Sequence, residues 1–285
     1  MITKRRILLL LAGFVLCLVL VAGGLAYLLL ARVEGQYFDS NGVRIHYTDE
    51  GAGEPLVLVH GLAANADLNW RRSGMVRLLS RDFRVITFDL RGHGLSGQPT
   101  DPAYYGVEMV RDITRLMDHL GLESAHVAGY SLGGFLTLKL LEDAPERVRS
   151  AALCAAGWKD PADESEVPSP YRPPAAMRPV RAAGVFKQLR NWGARQIVNR
   201  DATSALRKTF DELGVAQAAL ETNTTPALCI IGTEDGLLPL ARDLKAHMAH
   251  LEYTEVPGVG HMRLLFTRTF RRRVQEFLLV QNGNG

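Results

Sequence analysis

The chain has 285 residues, of which 47% are hydrophobic, 22% charged and 7% aromatic. These fractions exclude a disordered tail, a collagen and a multi-span membrane protein, and three cysteines are too few for a disulfide scaffold. The net charge of +3 resides in residues 1–30, where Lys4, Arg5 and Arg6 meet no acid; the rest is formally neutral, so charge gives no argument for nucleic-acid binding.

The 24 residues from Ile7 to Leu30 contain no charge. As a helix they reach about 36 Å at 1.5 Å per residue, against a hydrocarbon core of about 30 Å. Only a helix satisfies its own backbone in lipid, so residues 1–31 are expected to be a basic cytoplasmic stub and a single transmembrane anchor through residues 7–30. Lys4, Arg5 and Arg6 precede the run and only Arg32 follows closely. The positive-inside bias then puts the rest of the chain on the non-cytoplasmic side. The rival is a cleaved signal peptide and a secreted protein, with Gly24-Leu25-Ala26 as the small-residue cleavage site. Against it, the run exceeds an ordinary signal's apolar stretch, and Leu28-Leu29-Leu30 continue past the cut. A lipoprotein is excluded because Leu16 precedes Cys17 where a small residue is needed. A plain buried helix fits poorly with a run apolar on every face.

After a linker at 31–35, Gln36–Ser40 and Val43–Thr48 flank Asn41-Gly42, a hairpin signal. Strands are expected at Leu56–Val59, Arg84–Phe88, Ala125–Ala128, Ala151–Ala155, Ala227–Ile231 and Tyr253–Val256. Helices are expected at Val107–Leu120, with an apolar stripe from Val107 to Leu120, at Leu132–Leu141, ended near Pro145, and at Phe266–Val280. Strands alternating with helices predict an α/β fold with a parallel sheet covered on both faces. The rhythm breaks between Trp158 and Glu221. Six prolines crowd the first part, from Pro161 to Pro179, and helical stretches follow at about 181–198 and 203–220. The expected organisation is a core of 36–157 and 222–281 with a helical insertion at 158–221 that is too small for a core of its own.

Chemistry concentrates at Gly129-Tyr130-Ser131-Leu132-Gly133-Gly134, between a strand and a helix. A serine on so sharp a turn is held out from the backbone, and glycines two residues either side remove Cβ atoms that would clash there. A serine hydroxyl needs a base. His261, in Pro257-Gly258-Val259-Gly260-His261-Met262, follows the last strand and is the candidate. His46, His119 and His126 lie in a hairpin, at a helix end and within a strand, away from the strand ends where α/β sheets bind ligands. His247 and His250 have the spacing of a metal pair, yet no carboxylate–histidine pattern accompanies them, and they read as exposed. The base needs an acid: Asp235, with Glu234 as rival, in Gly232-Thr233-Glu234-Asp235-Gly236, where Gly236 suits a turn. The oxyanion donors are expected to be the amides of Leu132, at the helix start, and Leu62, in the His60-Gly61-Leu62 turn. The G-x-G-x-x-G match at Gly92-His93-Gly94-Leu95-Ser96-Gly97 is a decoy for a dinucleotide site, because Gln98-Pro99-Thr100-Asp101-Pro102 follows where a helix is required; His93 reads as loop-structuring. Trp158 and Tyr130 are each either pocket-lining or ordinary packing. Cys154 and Cys229, in neighbouring strands, read as two free buried thiols.

In this order these segments resemble the α/β-hydrolase superfamily, in its serine-nucleophile branch, from about Gln36 to Val280. The match includes Asp89-Leu90-Arg91-Gly92-His93-Gly94-Leu95-Ser96. The resemblance implies an eight-stranded, mostly parallel sheet, a helical lid inserted after the sixth strand, and acyl transfer through an acyl-serine followed by hydrolysis. Relatives with dehalogenase or epoxide-hydrolase activity carry an aspartate at the elbow, so Ser131 argues against both. The expectation is a membrane-anchored serine hydrolase of hydrophobic carboxylic esters, with a Ser131–Asp235–His261 triad and no metal or organic cofactor. The alternatives are a carbon–carbon bond hydrolase, a cofactor-free perhydrolase or haloperoxidase with the same triad, and a non-enzymatic binder. The basic residues of the insertion, from Arg172 to Lys208, leave open a solvated helical face or contact with anionic lipid.

Overall fold

The computed structural model describes Val33, residues 35–162 and residues 199–283. The apolar run at 7–30, the expected helix at 181–198 and most of the Pro-rich insertion therefore lie outside the described residues. Among the described residues no helix is long and apolar enough to cross a membrane.

The chain enters a hairpin, β1 (Gln36–Ser40) and β2 (Val43–Glu50). Asn41 and Gly42 turn it with φ of 55° and 80°, the pair of left-handed residues a two-residue hairpin turn requires. Six more strands follow: β3 (Glu54–Val59), β4 (Phe83–Phe88), β5 (Ala125–Tyr130), β6 (Val148–Cys154), β7 (Ala227–Gly232) and β8 (Leu251–Val256). They form one eight-stranded sheet in the order β1-β2-β4-β3-β5-β6-β7-β8. The pairings β1–β2 and β2–β4 are antiparallel, and the rest are parallel. The sheet is thus the expected mostly parallel one.

The parallel strands read as unbroken apolar runs because both faces are covered. Val57, Val59, Val127, Leu153, Cys229 and Ile231 pack in one apolar cluster, while Leu56, Leu58, Ala128, Ala152, Leu228 and Ile230 pack in another. The alternation is the two-residue period of a strand. The first cluster receives α2 (Val107–His119), α3 (Leu132–Asp143) and α6 (Leu238–His247). The second receives α1 (Met75–Leu79) and α8 (Arg268–Asn282). Of the stripe anticipated on α2, Val110, Ile113, Leu116 and Met117 are buried and Val107 and Leu120 half-buried, while Met109, outside that stripe, is buried as well. α3 stops at Ala144 before Pro145, whose ring cannot continue it. After the short α7 (His261–Leu264), α8 starts where Thr267 accepts the Phe270 N–H.

The helix expected over 203–220 is broken into α4 (Arg200–Arg207), a 3-10 turn at Phe210–Leu213 and α5 (Gln217–Thr222). The Thr209 hydroxyl donates to Leu206 O at the end of α4, and Gly214 and Ala216 are extended. That extended stretch gives Val215 O to the Trp158 indole N–H (2.8 Å) and the Ala216 N–H to Glu142 (2.9 Å). Local helical pattern loses here to tertiary hydrogen bonds. Trp158 is buried, with its indole N–H satisfied by that Val215 carbonyl. Cys154 and Cys229 are free and buried, as expected.

Candidate active site

In a parallel sheet the strand C-terminal ends share one edge, and the loops there carry the ligand chemistry. β5 ends at Tyr130, β7 at Gly232 and β8 at Val256. Ser131, Asp235 and His261 follow them and meet.

Ser131 has φ 53° and ψ −116°, a conformation that costs an L-residue about 1–3 kcal/mol. Backbone bonds over-determine it: its N–H donates to Cys154 O (2.8 Å), and its C=O accepts from Gly134 (2.8 Å) and Phe135 (3.1 Å). The glycines around it are sterically required. A Cβ at Gly129 would run into Gly133 O, and one at Gly133 into Val59 O. The hydroxyl lies 3.0 Å from His261 Nε2. On the ring's other side Nδ1 lies 2.7 Å from Asp235 Oδ2. The Asp235 side chain is fully buried, and its second oxygen accepts the Leu237 N–H at 3.0 Å. Asp235 rather than Glu234 therefore faces the imidazole. With the carboxylate accepting from Nδ1–H, Nε2 is the ring's free base, turned to the hydroxyl.

Leu132 opens α3, so its N–H has no intrahelical partner. Leu62 sits in the loop after β3. The space between that loop and the elbow is narrow: a Cβ at Gly61 would lie 3.1 Å from Tyr130 O and 3.2 Å from Ser131 Cβ. Among the described residues neither the Leu62 nor the Leu132 N–H donates to a protein acceptor.

Tyr130 lies under the site. Its hydroxyl donates to His261 O, and its ring centroid is 5.6 Å from the His261 ring. Burial, then the nearby Asp235 charge, pushes its phenol well above the ordinary value. It is therefore a neutral strut between the nucleophile strand and the histidine loop, a role with no local sequence signal.

Behind the Leu62 loop lies a buried polar set. Asp89 accepts the Ala66 N–H (2.9 Å) and the Leu95 N–H (2.8 Å), with His46 Nδ1 at 3.3 Å. Burial pushes the Asp89 carboxyl up, but His46, His60 and the two amides hold it below the usual carboxylate range. His60 Nε2 accepts the Leu90 N–H at 2.9 Å, so its Nδ1 carries the proton and donates to Gly61 O at 2.8 Å. His93 Nε2 accepts the Ala63 N–H at 3.3 Å, and Nδ1–H donates to Arg91 O at 3.1 Å. Burial lowers both rings, His93 to about 3 with His60 adding to the effect. His93 is thus the loop-structuring residue expected, and the Gly92–Gly97 stretch is a turn closed by Gly92 N–H on Gly97 O, with non-helical residues 98–101 between it and the 3-10 turn at Pro102–Tyr104. Elsewhere, His126 bonds Ser150 Oγ, His119 stacks on Phe38, and His247 rests on Trp158. His250 is exposed and His247 half-buried. Among the described residues no group of three or more His, Cys, Asp or Glu is placed to hold a metal ion.

A serine on a strand-to-helix turn, with its histidine and aspartate on the ends of later strands of the same sheet, defines an α/β hydrolase. Residues 54–204, more than half of the chain, match the family model for the alpha/beta hydrolase fold, and the chain belongs to that family. It is 31% identical over 231 residues to the 2-hydroxymuconate semialdehyde hydrolase of Pseudomonas sp. strain CF600, across 74% of this chain and 80% of that one. It is 37% identical over 122 residues to a provisionally named carbamate hydrolase of Azorhizobium caulinodans, across 43% of this chain and 44% of the other. The chain spans less than half the length of the first curated relatives it matches. Among solved structures, the meta-cleavage product hydrolase of Pseudomonas fluorescens IP01 superposes with a TM-score of 0.70 at 24% identity, covering 87% of this chain and 98% of that one, a likeness of fold.

Proposed function

We propose that the protein is a serine hydrolase that cleaves hydrophobic carboxylic esters through an acyl-serine. The observation that carries this reading is the continuous relay from Asp235 to His261 to Ser131, at 2.7 and 3.0 Å. His261 Nε2 takes the Ser131 proton as the hydroxyl attacks the ester carbonyl. Asp235 holds the ring's tautomer and stabilises the imidazolium. The Leu62 and Leu132 amides receive the oxyanion. His261 then protonates the leaving alcohol, and water repeats the cycle on the acyl-serine. Residues 7–30 anchor the chain in the membrane with the catalytic domain on the non-cytoplasmic side; the charge-free run and the basic stub before it support this part. Turnover of a graded series of p-nitrophenyl esters tests the activity. Wild type is expected to cleave them, with the longer acyl chains preferred, and Ser131→Ala to cleave none. Retained turnover by clean Ser131→Ala protein would rule out the mechanism.

The similarity to the 2-hydroxymuconate semialdehyde hydrolase favours a second reading, in which the same triad cleaves a carbon–carbon bond of a vinylogous diketone. Loss of the dienoate chromophore without ester turnover would select it.

A further inference from the structure

The catalytic reading needs the Leu62 N–H to point at the reacting oxygen, and the structure shows how that peptide is held. The peptide unit between Gly61 and Leu62 is planar, with its C=O and N–H on opposite sides. Fixing the Gly61 carbonyl therefore fixes where the Leu62 N–H points. His60 Nδ1–H holds that carbonyl at 2.8 Å. The preceding N–H, that of Gly61, donates to Asn69 Oδ1 at 2.8 Å. The following N–H, that of Ala63, is held by His93 Nε2. Of the three successive amides, only the Leu62 N–H lacks a protein acceptor among the described residues.

Asn69 is the group from outside the loop and its histidine motif that completes this arrangement. It is 2% exposed and sits mid-way along a π-helical turn, Asp67–Arg71, closed by the Arg72 N–H on Asp67 O. Such turns re-aim a side chain that a regular helix would place elsewhere. The neighbouring Trp70 is fully buried, edge-on to Tyr130 at 6.3 Å, so the turn is seated against the strand that carries Ser131. Gly61 itself has no Cβ to hold it off the elbow, and without Asn69 its buried N–H would have no partner and would compete for the place of the Leu62 N–H.

We propose that Asn69 is a positioning residue for the oxyanion site: by taking the Gly61 N–H it leaves the Leu62 N–H as the one donor this loop offers to the reacting oxygen. The inference rests on the serine-hydrolase reading. It makes Asn69 matter when charge develops on the carbonyl oxygen and not when substrate first binds.

The test compares wild type, Asn69→Ala and Asn69→Asp on p-nitrophenyl acetate, alongside inhibition by an aryl trifluoromethyl ketone, which forms a tetrahedral adduct with the serine. Removing an oxyanion donor outright typically costs about a hundred- to a thousand-fold. Misaiming one through Asn69→Ala is expected to lower kcat about ten- to a hundred-fold. KM should stay within about twofold, and ketone affinity should fall by the same factor as kcat/KM. Asn69→Asp keeps an accepting oxygen in the same place and is expected to recover part of the rate. Should Asn69→Ala not fold, Asn69→Ser, too short to reach the Gly61 N–H, carries the same expectation. Unchanged kcat in either variant beside an active wild type would overturn the proposal alone, as would a loss confined to KM with ketone affinity intact. A wild type that neither turns over ester nor labels with a fluorophosphonate would overturn the serine-hydrolase reading and this proposal with it.

Discussion

Ser131 sits in a conformation that an alanine-like backbone avoids, and the price of that strain is met by three backbone hydrogen bonds and by glycines at 129 and 133. Relieving the strain separates stability from activity. Ser131→Gly is expected to lose turnover yet unfold at a denaturant concentration no lower than wild type, because glycine adopts positive φ freely. Gly129→Ala is expected to do the reverse of relief, costing about 1–3 kcal/mol or more as its Cβ meets Gly133 O. Urea titration of the two variants checks both. Asp235→Asn should leave the fold intact but drop kcat by about four orders of magnitude, because the amide favours the wrong imidazole tautomer. The triad residues were legible in the sequence because each follows a strand whose period and flanking glycines are local. Asn69 and the Tyr130 hydroxyl were not. Asn69 is one polar residue among several in the 63–74 segment, and both acquire their roles only through partners that folding brings alongside.

At the scale of elements, the hairpin, the six later strands and the three long helices were readable because their signals are short-range: Asn41-Gly42, apolar runs, the stripe on α2, and Pro145 after α3. The segment 203–220 was not, since its breaks serve bonds to Trp158 and Glu142, which a local pattern cannot contain. The short α1 and the π-helical turn escaped for the same reason. Trp158 ties β6's exit to the Val215 stretch, and its ring lies 4.7 Å from that of His247 on α6. Trp158→Ala is expected to destabilise by about 3–5 kcal/mol, measured by chemical denaturation. Leu279→Ala, at a position 40% exposed on α8, should change stability by less than about 0.5 kcal/mol. Equal effects would mean that the distal part of the insertion is not coupled to the core through this side chain.

For the molecule as a whole, the burial of His60, His93 and His126 is expected to make folding sensitive to mild acid. Burial lowers His60 from its ordinary value of 6.5, His93 to about 3 and His126 to about 4. As pH falls below about 6.5 the unfolded chain takes up these protons and the folded chain does not, so stability falls with pH until the folded pKa values are reached. Denaturant midpoints should therefore decline between about pH 6.5 and pH 4, and His126→Gln should flatten the decline. A midpoint constant across that window would contradict the burial of these rings as neutral groups. The same sheet topology brings Ser131 and His261, 130 positions apart in sequence, to within 3.0 Å, and the functional account depends on that meeting. Its most direct test is to treat the protein with a fluorophosphonate and locate the adduct by peptide mass spectrometry. The account predicts a single modified residue, Ser131, with modification lost in His261→Ala. Absence of an adduct, or one that forms elsewhere and persists in Ser131→Ala, would contradict it.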